Sequence, residues 1–483
     1  MSSRPDVVID TRPLWIILLA RSRPIGLLLV GALLFWWVIT AAPPQGLSVS
    51  GQKALAVFCL CVFYWVFDVI PLMITSLLAI ILIPLSGVMT SSQAYALFGN
   101  EAVFFILGAF ILAACFMKSG LSTRIALTVL RRFGTTPRTL LISVLLLNAL
   151  MAFFMSEHAV AAMNFPIIVE ITAVLRLSPR RSSYAKALFL AMAWGSTIGG
   201  VATLLGGGRA PLALGILKEA TGKSFGFVEW SAAILPLVLI LLVVTYAIIV
   251  WFFPIDIANV QAADDVLDQK RMALGRMRYN ERAIGLVMLA TFATWVIGGE
   301  EFGLANIALA AVVVLFVFQL VTWREVEHYV NWGVILMYGG AICLGAAINK
   351  SGAAAWIAQV TISRWATSGT TVILMLSFLA ILLTEAMSNS AVVALLMPVS
   401  LGIAGQFHMD PRVMALAVAV PAGLATTLPI GTPANAIAYS SGYLSIRDMV
   451  VPGALLGVAS WLVFNLVANW YWPLLGLNIH GVR

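Results

Sequence analysis

MSNSAV at residues 387–392 and MSEHAV at residues 155–160 decide the fold. Each lies in the middle of a long apolar segment, 370–405 and 138–174, and breaks it with small or polar residues. A polar break at that depth suits a helical hairpin that enters a membrane and turns back, since non-helical backbone is tolerated there only when buried in protein or lining a cavity. The two stretches correspond: Ser156-Glu157-His158-Ala159-Val160, followed by Pro166, aligns without a gap with Ser388-Asn389-Ser390-Ala391-Val392, followed by Pro398. A second pair comes after them, GVATLLGGGRAP at 200–211 and GLATTLPIGTPAN at 423–435, each interrupting an apolar run, 184–218 and 412–442.

The rest of the chain agrees that the solvent is lipid. Its 483 residues are 61% hydrophobic and 10% charged, with a mean hydropathy of +1.02; soluble domains run at about 45–50% and about 25%. Uncharged apolar runs of spanning length occur at 25–42, 232–253, 302–321 and 450–467. The short alternating segments of a barrel are absent, so the spans are helices. The pattern predicts an all-α polytopic membrane protein with about eleven transmembrane helices plus two re-entrant hairpins. The spans are 23–42, 51–67, 70–88, 101–118, 228–252, 281–299, 304–321, 332–349 and 448–475, with the interrupted 184–218 and 412–442. An odd number of spans separates the two breaks, so the hairpins enter from opposite faces. That is an inverted repeat, an architecture that places cargo near the midplane at discontinuous helices. The halves are 1–253 and 281–483, joined by a polar cytoplasmic linker, 254–280.

Charge fixes the orientation. Net charge is +8, and the basic residues cluster in a few short connections, which argues for a membrane rather than a nucleic-acid partner. With a cytoplasmic N-terminus, Arg4, Arg12, Arg21, Arg23, Arg131, Arg132, Arg180, Arg181 and the linker's Lys270, Arg271, Arg276 and Arg278 all lie inside. The protein is placed in the cell's inner (plasma) membrane. No cleavable leader is read at the N-terminus, and the first span serves as the insertion signal. Cys59, Cys61, Cys115 and Cys343 sit in apolar runs and read as buried small hydrophobes. Glu300, Glu301 and Glu170 read as solvated interfacial acids, and Trp36, Trp37 and Trp332 as interfacial anchors.

Chemistry concentrates at the breaks. Pro433 suits the first turn of a restarting helix, whose free N–H groups favour an anion. Asn389 and Ser390 read as caps at the second tip. Unwound carbonyls near Gly431 suit a small cation. Here the sequence resembles the divalent anion/sodium symporter family, which carries di- and tricarboxylates and sulfate. Its members have Ser-Asn-Thr at each hairpin tip and a Gly-Thr-Pro-Pro-Asn-like stretch in each interrupted helix. The second half is close to that pattern: Ser388, Asn389, Gly431, Thr432, Pro433 and Asn435 match, with Ser390 for Thr and Ala434 for Pro. The resemblance implies a homodimer of scaffold and transport domains working as an elevator. It also implies that Ser388, Asn389, Ser390, Thr432 and Pro433 line a substrate or sodium site. Sodium is expected at Ser388, Asn389 and Gly431, with Asn435 in the ion-coupling set.

The first half departs from the pattern. Ser156-Glu157-His158 replaces Ser-Asn-Thr, and Arg209-Ala210-Pro211 follows Gly208. A charge in mid-membrane costs on the order of 2.5–3.5 kcal/mol on insertion scales, so such groups pair or face a cavity. Glu157 and Arg209 therefore read either as a buried pair locking the fold or as functional groups. In the functional reading Ser156, Glu157, His158 and Arg209 bind substrate. Arg209 would supply permanently the charge of a sodium ion, and Glu157 with His158 would couple transport to protons. Anion exchange without a coupling ion is a third mode. Glu385, one turn before the second tip, reads as a structural buried acid or a proton-responsive group. The expected cargo is a C4 dicarboxylate, with sulfate or an organosulfonate as the alternative. No enzymatic cofactor is expected: the chain has 4 His, no HExxH and no second ligand cluster, so an intramembrane enzyme is a remote reading.

Overall fold

The computed structural model describes the backbone of residues 14–361 and 368–479 and the side chains of 23–360 and 368–479. Arg4 and Arg12 lie outside the described residues, as does the side chain of Arg21. The described chain is helical, without strands. Among the described residues 9 helices are long and apolar enough to cross a membrane. Two of these, Glu157–Val174 and Asn389–Gln406, are second arms of the segments read above as hairpins. The other seven, the shorter apolar helices Leu72–Leu85 and Leu304–Val317, and the two interrupted helices are the elements counted as eleven spans.

The breaks fall where the sequence places them. In the first segment Pro137–Met151 starts on Pro137 behind a Thr136 capping box, and the chain restarts as Glu157–Val174. In the second, Gly369–Thr384 is followed by Asn389–Gln406. The helix starts are capped by Ser156 and Ser388, so Asn389 and Ser390 lie inside the helix rather than at its cap. Neither cap serine's hydroxyl accepts from a backbone N–H of its own helix, which leaves both hydroxyls for side-chain or ligand partners. The interrupted helices are Ser183–Gly199 with Arg209–Thr221, and Pro411–Ala419 with Pro433–Ser440. Thr432 caps the last of these, its hydroxyl accepting from Asn435 N at 3.2 Å, and Pro433 takes the first helical position. Glycine is required at Gly206, where a Cβ would stand 2.2 Å from the Gly200 carbonyl oxygen of the crossing chain.

The halves interlock through these short helices. Arg209–Thr221 of the first half packs on Asn389–Gln406 and Pro411–Ala419 of the second. Pro433–Ser440 of the second half packs on Ser183–Gly199 and Glu157–Val174 of the first. Around this centre lie the long helices, of which Trp332–Lys350 packs most extensively along Leu72–Leu85.

The polar linker is partly helical. Gln261–Ala273 turns Ala263 and Leu267 inward against the amphipathic helix Leu121–Phe133 and against Glu157–Val174. Arg131 reaches Asp268 at 2.8 Å, and Lys270 reaches Glu170 at 2.6 Å, so Glu170 is half-exposed but paired rather than simply solvated. Burial raises the Asp264 carboxyl above its ordinary value, with Arg131 opposing the shift. Trp36, Trp37 and Trp332 are exposed. Of the cysteines, Cys61, Cys115 and Cys343 are buried and Cys59 is half-buried; all four are free thiols.

Candidate functional site

Four helices begin at one cavity. Its volume is about 870 Å³, and its wall contains Glu157, Arg209, Asn389 and Pro433, the first residues of Glu157–Val174, Arg209–Thr221, Asn389–Gln406 and Pro433–Ser440. Each helix start carries roughly +0.5 charge from its unpaired N–H groups, so the four together favour an anion. His158, Gly207, Gly208, Ser388, Ser390, Gly431 and Thr432 complete this side. The rest of the wall comes from Trp65 to Met73, with Asp68, and from Asn331 to Met337.

The first half contributes a buried ion pair. Arg209 Nη1 donates to Glu157 Oε2 at 3.0 Å, and the two side chains are 3% and 4% exposed. Glu157 Oε1 accepts from Asn389 Nδ2 of the other half at 3.3 Å. Arg209 Nη2 is buried without a partner among the described residues. The guanidinium lies in a slot that only glycines permit: a Cβ at Gly423 would stand 2.0 Å from its Nε, and one at Gly207 2.4 Å from its Nη1. His158 Nε2 is 3.5 Å from Ser156 Oγ; Ser156 is buried and does not line the cavity.

The second half is neutral at the surface and anionic behind it. Glu385 Oε1 accepts from the backbone N–H groups of Thr426 and Thr427, each at 2.9 Å, and Oε2 from that of Leu428 at 2.8 Å. Its carboxylate thus organises the unwound stretch. Asn435, also expected at the site, is fully buried behind it: Nδ2 donates to the carbonyls of Ala425 and Leu428, both at 3.2 Å. Thr384 Oγ1 lies 2.8 Å from Asn389 Oδ1 and 2.7 Å from the Ala422 carbonyl, and donates its one proton between them. Ser388, Asn389 and Gly431 present neutral oxygens of the kind a hard cation takes. Glu385 Oε2 would lie 2.9 Å from a Cβ at Gly431, which places an anion beside that loop. A sodium ion fits this donor set. It does not fit the first-half counterpart, where the guanidinium stands.

The rest of the cavity's wall was not read from sequence. Trp65, Asp68, Asn331 and Val334 belong to no motif. Tyr338 is another omission: it is fully buried, and a Cβ at Gly208 would stand 3.1 Å from its hydroxyl and 3.3 Å from Ser390 Oγ. An acid in the short connection at Asp68 was the one available signal.

Comparison with known proteins follows the same lines. The family described as the sodium:sulfate symporter transmembrane region matches residues 25–478. The sodium-dependent dicarboxylate transporter SdcS of Staphylococcus saprophyticus is 28% identical over 481 residues, covering 94% of this chain and 92% of that one. SdcS of Staphylococcus aureus is 28% identical over 490 residues, covering 95% and 94%. Among solved structures, the Alcanivorax borkumensis YdaH transporter aligns with a TM-score of 0.57 at 15% identity, covering 96% of this chain and 99% of that one. Neisseria gonorrhoeae MtrF aligns at 0.55 and 13%, covering 95% of each. These two likenesses concern the fold.

Proposed function

We propose, for a chain that belongs to the family of the sodium:sulfate symporter transmembrane region, secondary active transport of a small divalent anion, a C4 dicarboxylate first. The observation that carries this reading is the convergence of four helix N-termini and Arg209 on one cavity. A second support is the naming of its relatives as sodium-dependent dicarboxylate transporters.

One anionic group of the substrate lies at Arg209, whose Nη2 has no protein partner among the described residues; guanidinium is a forked donor suited to carboxylate. The other lies at the second tip, on Ser388, Ser390 and the Pro433 helix start. Sodium takes Ser388, Asn389 and Gly431, while Arg209 supplies the charge a first-half sodium would. Proton coupling through Glu157 and His158 is the alternative. The halves 1–253 and 281–483 form an inverted repeat, and the hairpins and broken helices move as an elevator against the remaining helices. With the N-terminus cytoplasmic, the connections that carry Asp68 and Asn331 lie on the cytoplasmic side, and in this reading the cavity they line opens there. A homodimer in the plasma membrane is part of the proposal.

The test is uptake of labelled succinate into proteoliposomes preloaded with unlabelled succinate, in sodium and in choline buffer. Sodium-dependent uptake supports the second-half ion site. Equal uptake in both buffers removes sodium and leaves exchange or proton coupling. No uptake in either, with reconstitution verified and labelled sulfate taken up instead, replaces the dicarboxylate with sulfate.

A further inference from the structure

The geometry points to Glu157 as an internal counter-ion that stands in for the substrate carboxylate on Arg209 and lets the empty carrier return. This rests on the anion-carrier reading. Both groups line the cavity, 3.0 Å apart, so the pair lies inside the site and not behind it. The guanidinium gives Nη1 to Glu157 and keeps Nη2 unused among the described residues. Among the described residues Glu157 is held from its other side by Asn389 alone, through a long bond of 3.3 Å from an amide. At the corresponding tip and break of the second half, Asn389 and Thr432 are neutral, so the two first-half charges appear as a matched set. Of the other acids of the region, Glu385 is engaged by three backbone N–H groups and Asp68 lines the cavity; among the described residues Arg209 is paired with Glu157 and with neither of these.

A carrier with a fixed cation and no anion would have to carry a bare charge across the membrane whenever it returned empty. That restricts it to exchange, because only the loaded form moves. Glu157 cancels the charge in the empty form. An arriving carboxylate then competes for the guanidinium, and the loaded form is balanced by Arg209, a coupling ion and the four helix starts. Net uptake becomes available as well as exchange, and Glu157 weakens apparent substrate affinity because it neutralises the same guanidinium.

The experiment uses the full chain in proteoliposomes with labelled succinate, comparing substrate-free vesicles, which require empty return, with succinate-loaded vesicles, which do not. In Glu157→Gln, net uptake falls on the order of a hundredfold, while exchange continues with a lowered KM. Equal reduction of both modes, in protein that keeps the wild-type melting temperature, overturns the proposal; so does retention of wild-type net uptake. Glu157→Asp, which keeps the charge, retains net uptake if the proposal holds and loses it if the role is one of fit alone. Wild-type protein inactive in both vesicles would instead defeat the dicarboxylate reading itself.

Discussion

Replacing Glu385 by Gln loosens the unwound stretch of the second half by an amount that follows from three hydrogen bonds. The carboxylate accepts from Thr426 and Thr427 at 2.9 Å and from Leu428 at 2.8 Å. Each bond to a charged acceptor is worth about 1.5–3 kcal/mol net, and each neutral one about 0.5–1.5 kcal/mol. Gln keeps one oxygen, enough for two of the donors, and turns an NH₂ toward the third. Allowing for non-additivity among neighbours, the local cost is about 2–4 kcal/mol, which is roughly a thirty- to thousandfold change in an opening equilibrium. The assay is amide hydrogen exchange of the detergent-solubilised protein, read on peptides containing residues 424–432. Protection there is expected to fall by that factor, while peptides from Ser183–Gly199 keep theirs. Unchanged protection at Thr426, Thr427 and Leu428 would refute the assignment of Glu385 as the group that shapes this loop.

Three further outcomes are expected. Gly423→Ala puts a methyl onto the Arg209 guanidinium and moves it from the place where it meets the substrate carboxylate; losing that one charge-assisted bond of about 1.5–3 kcal/mol raises the exchange KM at least about tenfold with the fold intact by circular dichroism. Asn435→Asp removes the donor to two buried carbonyls and sets an acceptor against them; each unmet carbonyl costs about 1–3 kcal/mol, seen as a lowered melting temperature, and an unchanged one counts against this role. Ile430→Cys, at a cavity position that is 75% exposed, reacts with a membrane-impermeant thiol reagent from the cytoplasmic side and is protected by succinate; labelling from the other side alone would reverse the orientation.

What the sequence disclosed and what it withheld have different physical origins. Polar residues, glycines and prolines inside an apolar run are costly unless they serve a break, so MSEHAV, MSNSAV and the two interrupted helices could be read one segment at a time. The pairing of Glu157 with Arg209 was open for the same reason: two buried charges need partners. Cap positions were misplaced by one and two residues because Ser388, Asn389 and Ser390 are all good caps by type. Asn435 sits within the expected motif yet faces backbone carbonyls, a direction that composition does not carry. The linker helix was missed because its mean hydropathy is low and its apolar face is only Ala263 and Leu267. The wall from Trp65 to Met73 and from Asn331 to Met337 comes from segments far apart in the chain, and no local pattern announces such a meeting.

The asymmetry between the halves is the feature that ties these points together. Positions 153 and 385 correspond by the same alignment that relates the two tips. In the first half Phe153 offers only its carbonyl, which accepts from Thr203 Oγ1 at 2.8 Å. In the second, Glu385 brings a full charge to the equivalent turn. The acid is therefore placed behind the loop in one half and on the cavity in the other. Where it lies behind, it favours a cation in front; where it lies in front, it answers a guanidinium. In the mechanism proposed above, the second half holds the exchangeable cation, and Arg209 of the first half supplies the charge that a second cation would.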